Sequence, residues 1–255
     1  LPGRYRRGDP EGLEMIGPGK RVLLVGEGRT FFVRSGTGMF STDRGVIDLD
    51  AVGMASAGDT IESHTGHLFR VLIPRAPDYF EHAKRTGAPM LPRDIGLVIA
   101  LTGMNRNDVV LDAGTGSGIS AIFFGGVAKK VVTYETREDF ARVAAENIRE
   151  AGLANVEVIP GDVLAAEDLF DIVHYDMTIG PEHVRHAHSL LRPGGYLACY
   201  TPFIEHLCIV LETAEGLFSS VRAVECIERE MTRSKRGTRP STRVGHSGYL
   251  TIARK

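Results

Sequence analysis

The rhythm of hydrophobic positions changes part-way along this chain. Up to about residue 75, short apolar runs are separated by Gly-rich turns: Arg21–Glu27, Phe31–Ser35, Val46–Asp50, Asp59–Ser63 and Phe69–Ile73. Runs of that length, bounded that way, predict short antiparallel strands. Gly26-Glu27-Gly28-Arg29, between the first two, reads as a hairpin connection because glycine accepts the positive φ such turns need. Several short strands at this spacing predict a small barrel or sandwich over residues 1–75. Residues 76–92 read as a linker, with a short polar helix over Asp78–Thr86 closed by Gly87 as a C-cap.

From Arg93 to the end, residues 93–255, strand-like and helix-like periods alternate. Val109–Asp112, Lys130–Glu135, Val156–Ile159, Ile172–Asp176 and Tyr196–Tyr200 read as strands. Helices are expected at Ile119–Phe124, Arg137–Ala151, Glu182–Leu191 and Glu205–Glu215. Phe140, Val143, Ala144 and Ile148 would form the apolar face of the second, with Gly152 after it. Strand-like Val221–Glu228 and Gly248–Ala253 close the chain. Such alternation implies right-handed crossovers and a mostly parallel sheet covered on both faces, an α/β fold.

The strongest local signal is Val109-Val110-Leu111-Asp112-Ala113-Gly114-Thr115-Gly116-Ser117-Gly118. An apolar strand runs into an acid and three alternate glycines, then into a helix. Glycines there let the backbone approach a ligand and turn into the helix N-terminus. No Gly-Lys-Ser/Thr follows, so this is not a Walker loop. Nor is the spacing that of a dinucleotide fold, and Asp112 beside a diphosphate would be repulsive. A cationic or zwitterionic ligand suits the site better. Glu135 closes the next strand, where an α/β nucleotide fold places an acid for the ribose hydroxyls. Gly161-Asp162-Val163 follows the third strand, within reach of an adenine amino group.

This Asp-x-Gly-x-Gly-x-Gly run, with acids after the second and third strands, resembles class I S-adenosylmethionine-dependent methyltransferases. Arg192-Pro193-Gly194-Gly195 is similar to a segment common in that Rossmann-like fold. The flanks narrow the resemblance. Gly45-Val46-Ile47-Asp48, Pro92-Arg93-Asp94, Tyr134 to Phe140 and Val244 to Leu250 look like the tRNA (adenine-N1)-methyltransferase family, over nearly the whole chain. That family methylates the T-loop adenine at tRNA position 58, and some archaeal members also act on the neighbouring adenine, position 57. The resemblance implies a class I methyltransferase domain behind a small N-terminal β-barrel-like domain. It also implies S-adenosylmethionine as methyl donor, tRNA as substrate and a homotetramer. Asp112, Gly114, Thr115, Gly116, Ser117, Gly118, Glu135, Asp162 and Val163 would hold the donor. Asp176, at the family's acidic position, would bind the target base, act catalytically and border the donor. In two places the chain departs from the family. Asp176-Met177-Thr178-Ile179-Gly180-Pro181 replaces a Pro-Asp-Pro-Trp-like continuation, and Leu91 stands where an aromatic or His commonly offers a ring to the base. Stacking on a ring is worth ~1–3 kcal/mol per base, which Leu91 does not supply.

Charge refines the RNA reading. Over 255 residues, 30 Lys plus Arg meet 32 Asp plus Glu, a formal charge of −2, which excludes a polybasic coat. Basic residues are instead concentrated. Arg233, Lys235, Arg236, Arg239 and Arg243 lie in an acid-free stretch that reads as a mobile loop, and Arg4, Arg6 and Arg7 form a second cluster. Both suit phosphate contacts, with Arg239, Arg243 and nearby His246 as candidate substrate residues beside Leu91. His183, His186 and His188 lack the convergent partners of a metal site, so no metal is expected. Cys199 and Cys208 read as core residues. Three cysteines without a C-x-x-C pair, no apolar run of membrane length and no secretory pattern fit a cytoplasmic protein. Two other readings share much of this pattern: a non-catalytic tRNA-binding subunit, and a methyltransferase of another substrate class.

Overall fold

The computed structural model describes residues 15–235, 237–241 and 245–255. Arg4, Arg6, Arg7, Arg236, Arg243 and Val244 lie outside the described residues. The chain divides into two compact units, Leu1–Asp78 and Tyr79–Lys255.

In the first unit, β1 (Arg21–Gly26), β2 (Arg29–Arg34), β3 (Met39–Thr42) and β4 (Gly45–Asp48) precede a short helix, α1 (Leu49–Met54), then β5 (Thr60–Glu62) and β6 (Leu68–Leu72). The β1–β2 turn is the expected one: Glu27 and Gly28 both have positive φ, 50° and 73°, and Gly26 pairs with Arg29. That combination matches the right-handed twist of the flanking strands. The sheet runs β2-β1-β6-β5, with β3–β4 a separate hairpin. Among the described residues, then, the expected barrel or sandwich is an open four-stranded sheet with an added ribbon. Val22, Leu24, Val33, Ile47, Val52, Phe69 and Val71 form its core. The sequence pattern missed α1 because Val46–Asp50 reads as one strand. Asp48 ends it by accepting the Asp50 N–H at 2.9 Å as a helix N-cap.

Helix α2 (Ala76–His82) spans the boundary between units and ends four residues before the expected Thr86, so Gly87 is not its cap. The second unit continues with α3 (Pro92–Thr102), β7 (Val109–Ala113), α4 (Ile119–Gly125), β8 (Lys130–Glu135), α5 (Glu138–Glu150), β9 (Val156–Pro160) and a 3₁₀ turn at Val163–Ala165. Next come β10 (Phe170–Tyr175), α6 (Pro181–Leu190), β11 (Leu191–Thr201), α7 (Ile204–Glu215) and β12 (Ser220–Glu225). A hairpin, β13 (Met231–Ser234) and β14 (Gly237–Pro240), precedes the last strand, β15 (Tyr249–Arg254). Helix α3 was not legible from periodicity, although Pro92 at its first turn is a standard start. The stretch read as a mobile basic loop contains the β13–β14 hairpin instead.

The seven-stranded sheet runs β12-β15-β11-β10-β7-β8-β9. Its β9-β8-β7-β10-β11 portion is parallel, and β15 runs antiparallel to both neighbours. Right-handed crossovers run outward from β7 in opposite directions, which puts helices on opposite faces. The order therefore reverses between β7 and β10, and a crevice opens at their carboxyl ends. Burial on both faces explains the near-continuous apolar character of β7, β8 and β10. Helix α5 is rotated from expectation. Its buried residues are Ala141, Ala144, Asn147 and Ile148, while Phe140 turns toward the crevice. Cys199 is in the core, but Cys208 is exposed, because Leu207, Val210 and Ala214 are the residues of α7 that face inward.

Candidate active site

The topological reversal determines what can meet in the crevice. Gly114 follows β7 and Asp176 follows β10, and the two chain segments touch. A Cβ built on Gly114 would stand 1.9 Å from the Asp176 carbonyl oxygen, and φ there is 85°. Only glycine allows this approach. The third glycine serves packing: a Cβ on Gly118 would press on Ile148 and Ala144 of α5 at 3.2–3.3 Å. The loop thus admits a ligand on one side and a helix on the other.

Two cavities flank this contact. The larger, about 490 Å³, is lined by Gly114, Tyr134, Glu135, Asp162, Met177 and His183, among others. The smaller, about 220 Å³, is lined by Thr86 to Met90, the Gly114–Ser117 loop and Phe140. Gly114, Arg137 and Asp176 border both.

Glu135 is buried at the end of β8, where the strand delivers it. Its Oε2 accepts the Gly116 N–H at 2.9 Å, and Oε1 accepts the Arg137 N–H and Nε–H at 3.1 and 3.2 Å. The Arg137 guanidinium lies 3.5 Å over the Phe140 ring. Asp162 is exposed and caps the 3₁₀ turn, Oδ1 accepting the Leu164 N–H at 2.9 Å. Val163 beside it is buried. Burial pushes the Asp176 carboxyl up to about 6; Asp112 adds to the rise and His174 opposes it.

Asp112 takes a different place from the expected one. It is 1% exposed, and both oxygens are used inside the core: Oδ1 with His174 Nδ1 at 2.6 Å, Oδ2 with the Thr133 hydroxyl at 2.5 Å. Thr133 continues to Thr115 at 2.6 Å. A buried carboxylate needs such partners, and here they tie the loop to β8 and β10. Ser117 likewise faces inward, its hydroxyl accepting the Thr86 N–H at 2.9 Å. The Asp112, Thr115 and Ser117 side chains thus shape the loop; Thr115 and Ser117 also line the smaller cavity, whereas Asp112 borders neither, and Gly114, Gly116, Glu135, Asp162 and Asp176 surround the two.

Sequence reasoning missed Arg137, Phe140, Tyr134, Tyr200 and His174. Only Arg137, two residues after the strand acid, carried a positional signal. Tyr200 follows Cys199, the β11 partner of Tyr175, so it stands at the same end of the sheet as Asp176, and burial raises its phenol pKa. Leu91 is the half-buried N-cap of α3, next to cavity residue Met90. His246 has both ring nitrogens engaged, Nδ1 with Glu225 at 2.7 Å and Nε2 with the Pro202 carbonyl at 2.9 Å. Those contacts hold it above its ordinary pKa. Arg239 is exposed on β14. Among the candidate metal histidines, His183 accepts the Gly180 N–H at 3.0 Å, His186 meets the Ala166 carbonyl at 3.0 Å, and His188 packs edge-on against Phe218. Each has its own local role.

Residues 104–235 match a family model described as a methyltransferase domain. Over 91% of this chain and 94% of the relative, the sequence is 33% identical to the tRNA (adenine(57)-N(1)/adenine(58)-N(1))-methyltransferase TrmI of Methanocaldococcus jannaschii. The chain belongs to the tRNA (adenine-N1)-methyltransferase family. A solved structure from Thermotoga maritima, described as an S-adenosylmethionine-dependent O-methyltransferase, superposes with a TM-score of 0.84 at 27% identity, covering 94% of each chain. The tRNA (m1A58) methyltransferase TrmI of Aquifex aeolicus shares the fold, with a TM-score of 0.78 at 24% identity over 95% of this chain and 99% of that one. In this methyltransferase, the crevice between β7 and β10 is therefore the candidate active site. No helix among the described residues is long and apolar enough to cross a membrane.

Proposed function

We propose that this chain transfers a methyl group from S-adenosylmethionine to N1 of a T-loop adenine in tRNA, at position 58; the name of the Methanocaldococcus relative adds position 57, which mapping of the product would decide. The observation that carries this reading is Asp176, which borders both cavities, with its backbone carbonyl against Gly114 and its carboxyl pushed up to about 6 by burial.

The donor fits the residues present. Buried Glu135 offers two carboxylate oxygens at the larger cavity, in reach of a vicinal diol, once Arg137 yields its hold on Oε1. Asp162 and Val163 border the same space and suit an adenine ring and its amino group. The backbone of Gly114 and Gly116, which carries no side chain into the space, suits the zwitterionic tail. Bound there, the donor supplies a methyl carbon activated by a positive sulfonium.

Adenine N1 attacks with its own lone pair, and the electrons of the breaking carbon–sulfur bond stay on sulfur. No proton need leave before attack, so placement of the base supplies much of the rate. Methylation leaves a positive charge shared between N1 and the exocyclic amino group. Asp176 accepts a hydrogen bond from that amino group and opposes the developing charge. The T-loop adenine must be splayed from its stack to reach this depth. Family resemblance extends the reading to a cytoplasmic homotetramer, which light scattering would test as a four-chain mass. Incubation with unmodified tRNA and labelled donor, then nucleoside mass spectrometry, tests the activity itself. N1-methyladenosine is the expected product, and its absence would overturn the proposal.

A further inference from the structure

Between β12 and β15 the chain leaves the sheet for residues 226–248 and forms the β13–β14 hairpin. Every described residue of those two strands is exposed, so the hairpin has no packed face to orient it. It nonetheless carries Arg233, Lys235 and Arg239, in a stretch from Met231 to Arg243 without an acid. Its direction is therefore set at its base.

The base is gripped by two consecutive residues at the start of α3. On the outgoing leg, Glu228 Oε2 lies 3.9 Å from Arg93. On the returning leg, the Gly245 carbonyl is 3.5 Å from an Arg93 guanidinium nitrogen. Ser247 donates its hydroxyl to Asp94 Oδ2 at 2.9 Å. Asp94 is 2% exposed, and burial raises its pKa. His246 staples the legs together through Glu225, and the Ser241 N–H closes the hairpin on the Glu230 carbonyl at 2.7 Å. The same leg reaches the end of the sheet beside the crevice: a Cβ on Gly248 would meet the Tyr200 ring at 2.4 Å, and Tyr200 follows Cys199, the strand partner of Tyr175, which precedes Asp176. One dipeptide thus joins the basic hairpin to the wall beside the candidate catalytic acid.

We propose that Arg93 and Asp94 are positioning residues that latch the 226–248 segment, so that its basic hairpin meets tRNA phosphates while the target base is in the crevice. This rests on tRNA as the substrate. Neither residue lines either of the two cavities, so its loss is felt in substrate engagement and not in donor binding.

The test uses Asp94→Ala, Ser247→Ala and Asp94→Asn in the full chain. The last keeps an oxygen that accepts the Ser247 hydroxyl. Removing either partner of this half-buried hydrogen bond is expected to raise amide exchange in residues 226–248 about tenfold, and KM for tRNA by a similar factor. Affinity for S-adenosylhomocysteine, measured by calorimetry, stays within twofold, and Asp94→Asn restores KM and exchange toward the parent values. Unchanged exchange in both alanine variants would overturn the latch. So would unchanged KM for tRNA, or a parallel loss of S-adenosylhomocysteine affinity. If the parent protein itself does not methylate tRNA, the functional reading fails, while the exchange measurement still decides whether the latch exists.

Discussion

Replacing Asp176 with Asn should make the protein more stable and less active, with a pH signature that separates this residue from an ordinary strand-end cap. In the folded chain, burial moves the carboxyl from the ordinary 3.8 to about 6. Each tenfold change in proton affinity is about 1.36 kcal/mol, so holding this group ionised costs about 3 kcal/mol at neutral pH. That figure is a ceiling, since the side chain keeps some contact with solvent. The sign follows from proton counts. Between pH 3.8 and 6 the folded state binds more protons than the unfolded state, so this group's contribution falls as pH rises. The cost is about 1.6 kcal/mol at pH 5 and is complete above pH 7. Asn cannot ionise, so Asp176→Asn should gain about 1.6 kcal/mol at pH 5 and about 3 at pH 8 in urea unfolding. Turnover should move the other way. With about nine in ten of these carboxyls ionised at pH 7, parent turnover rises through about pH 6 and levels off. In Asp176→Asn that inflection disappears, and turnover falls by roughly 10²–10³ with the lost charge compensation. Donor affinity should change little. An equal stability gain at both pH values, or turnover close to the parent's, would refute the reasoning.

Other perturbations separate the remaining parts. Gly114→Ala forces a Cβ onto the Asp176 carbonyl in a left-handed backbone; it should cost about 3 kcal/mol or more in unfolding and abolish S-adenosylhomocysteine binding by calorimetry. Glu135→Gln should weaken that binding at least about tenfold, because a charged acceptor for the ribose hydroxyls is lost. Replacing Arg233, Lys235 and Arg239 together with Ala should flatten the dependence of log Kd for tRNA on log salt by about 2 to 3, with donor affinity unchanged. A parent-like slope in that triple variant would remove the hairpin from the RNA surface.

The sequence alone determined the strand–helix alternation from β7 to β12, the glycine loop, Glu135 after β8 and Asp162 after β9. These are local signals: alternation, strand-to-helix punctuation and an acid at a strand's end all follow from residues near one another in the chain. It also determined the β1–β2 hairpin, because Glu27-Gly28 must supply two positive φ angles. Tertiary structure decided the rest. Asp112 read as a ligand residue until the sheet placed His174 and Thr133 against it, from strands 62 and 21 residues away. Phe140 read as core until α5 rotated it toward the crevice. The basic stretch read as a loop until cross-strand pairing made it a hairpin. Arg93 and Asp94 read only as a family block until α3 placed them at the hairpin's base, more than 150 residues along the chain. Each revision has one physical cause. A local pattern specifies which face of an element is apolar, but which partner that face or carboxylate meets is decided by strand order, and strand order reverses at the crevice where the chemistry is placed.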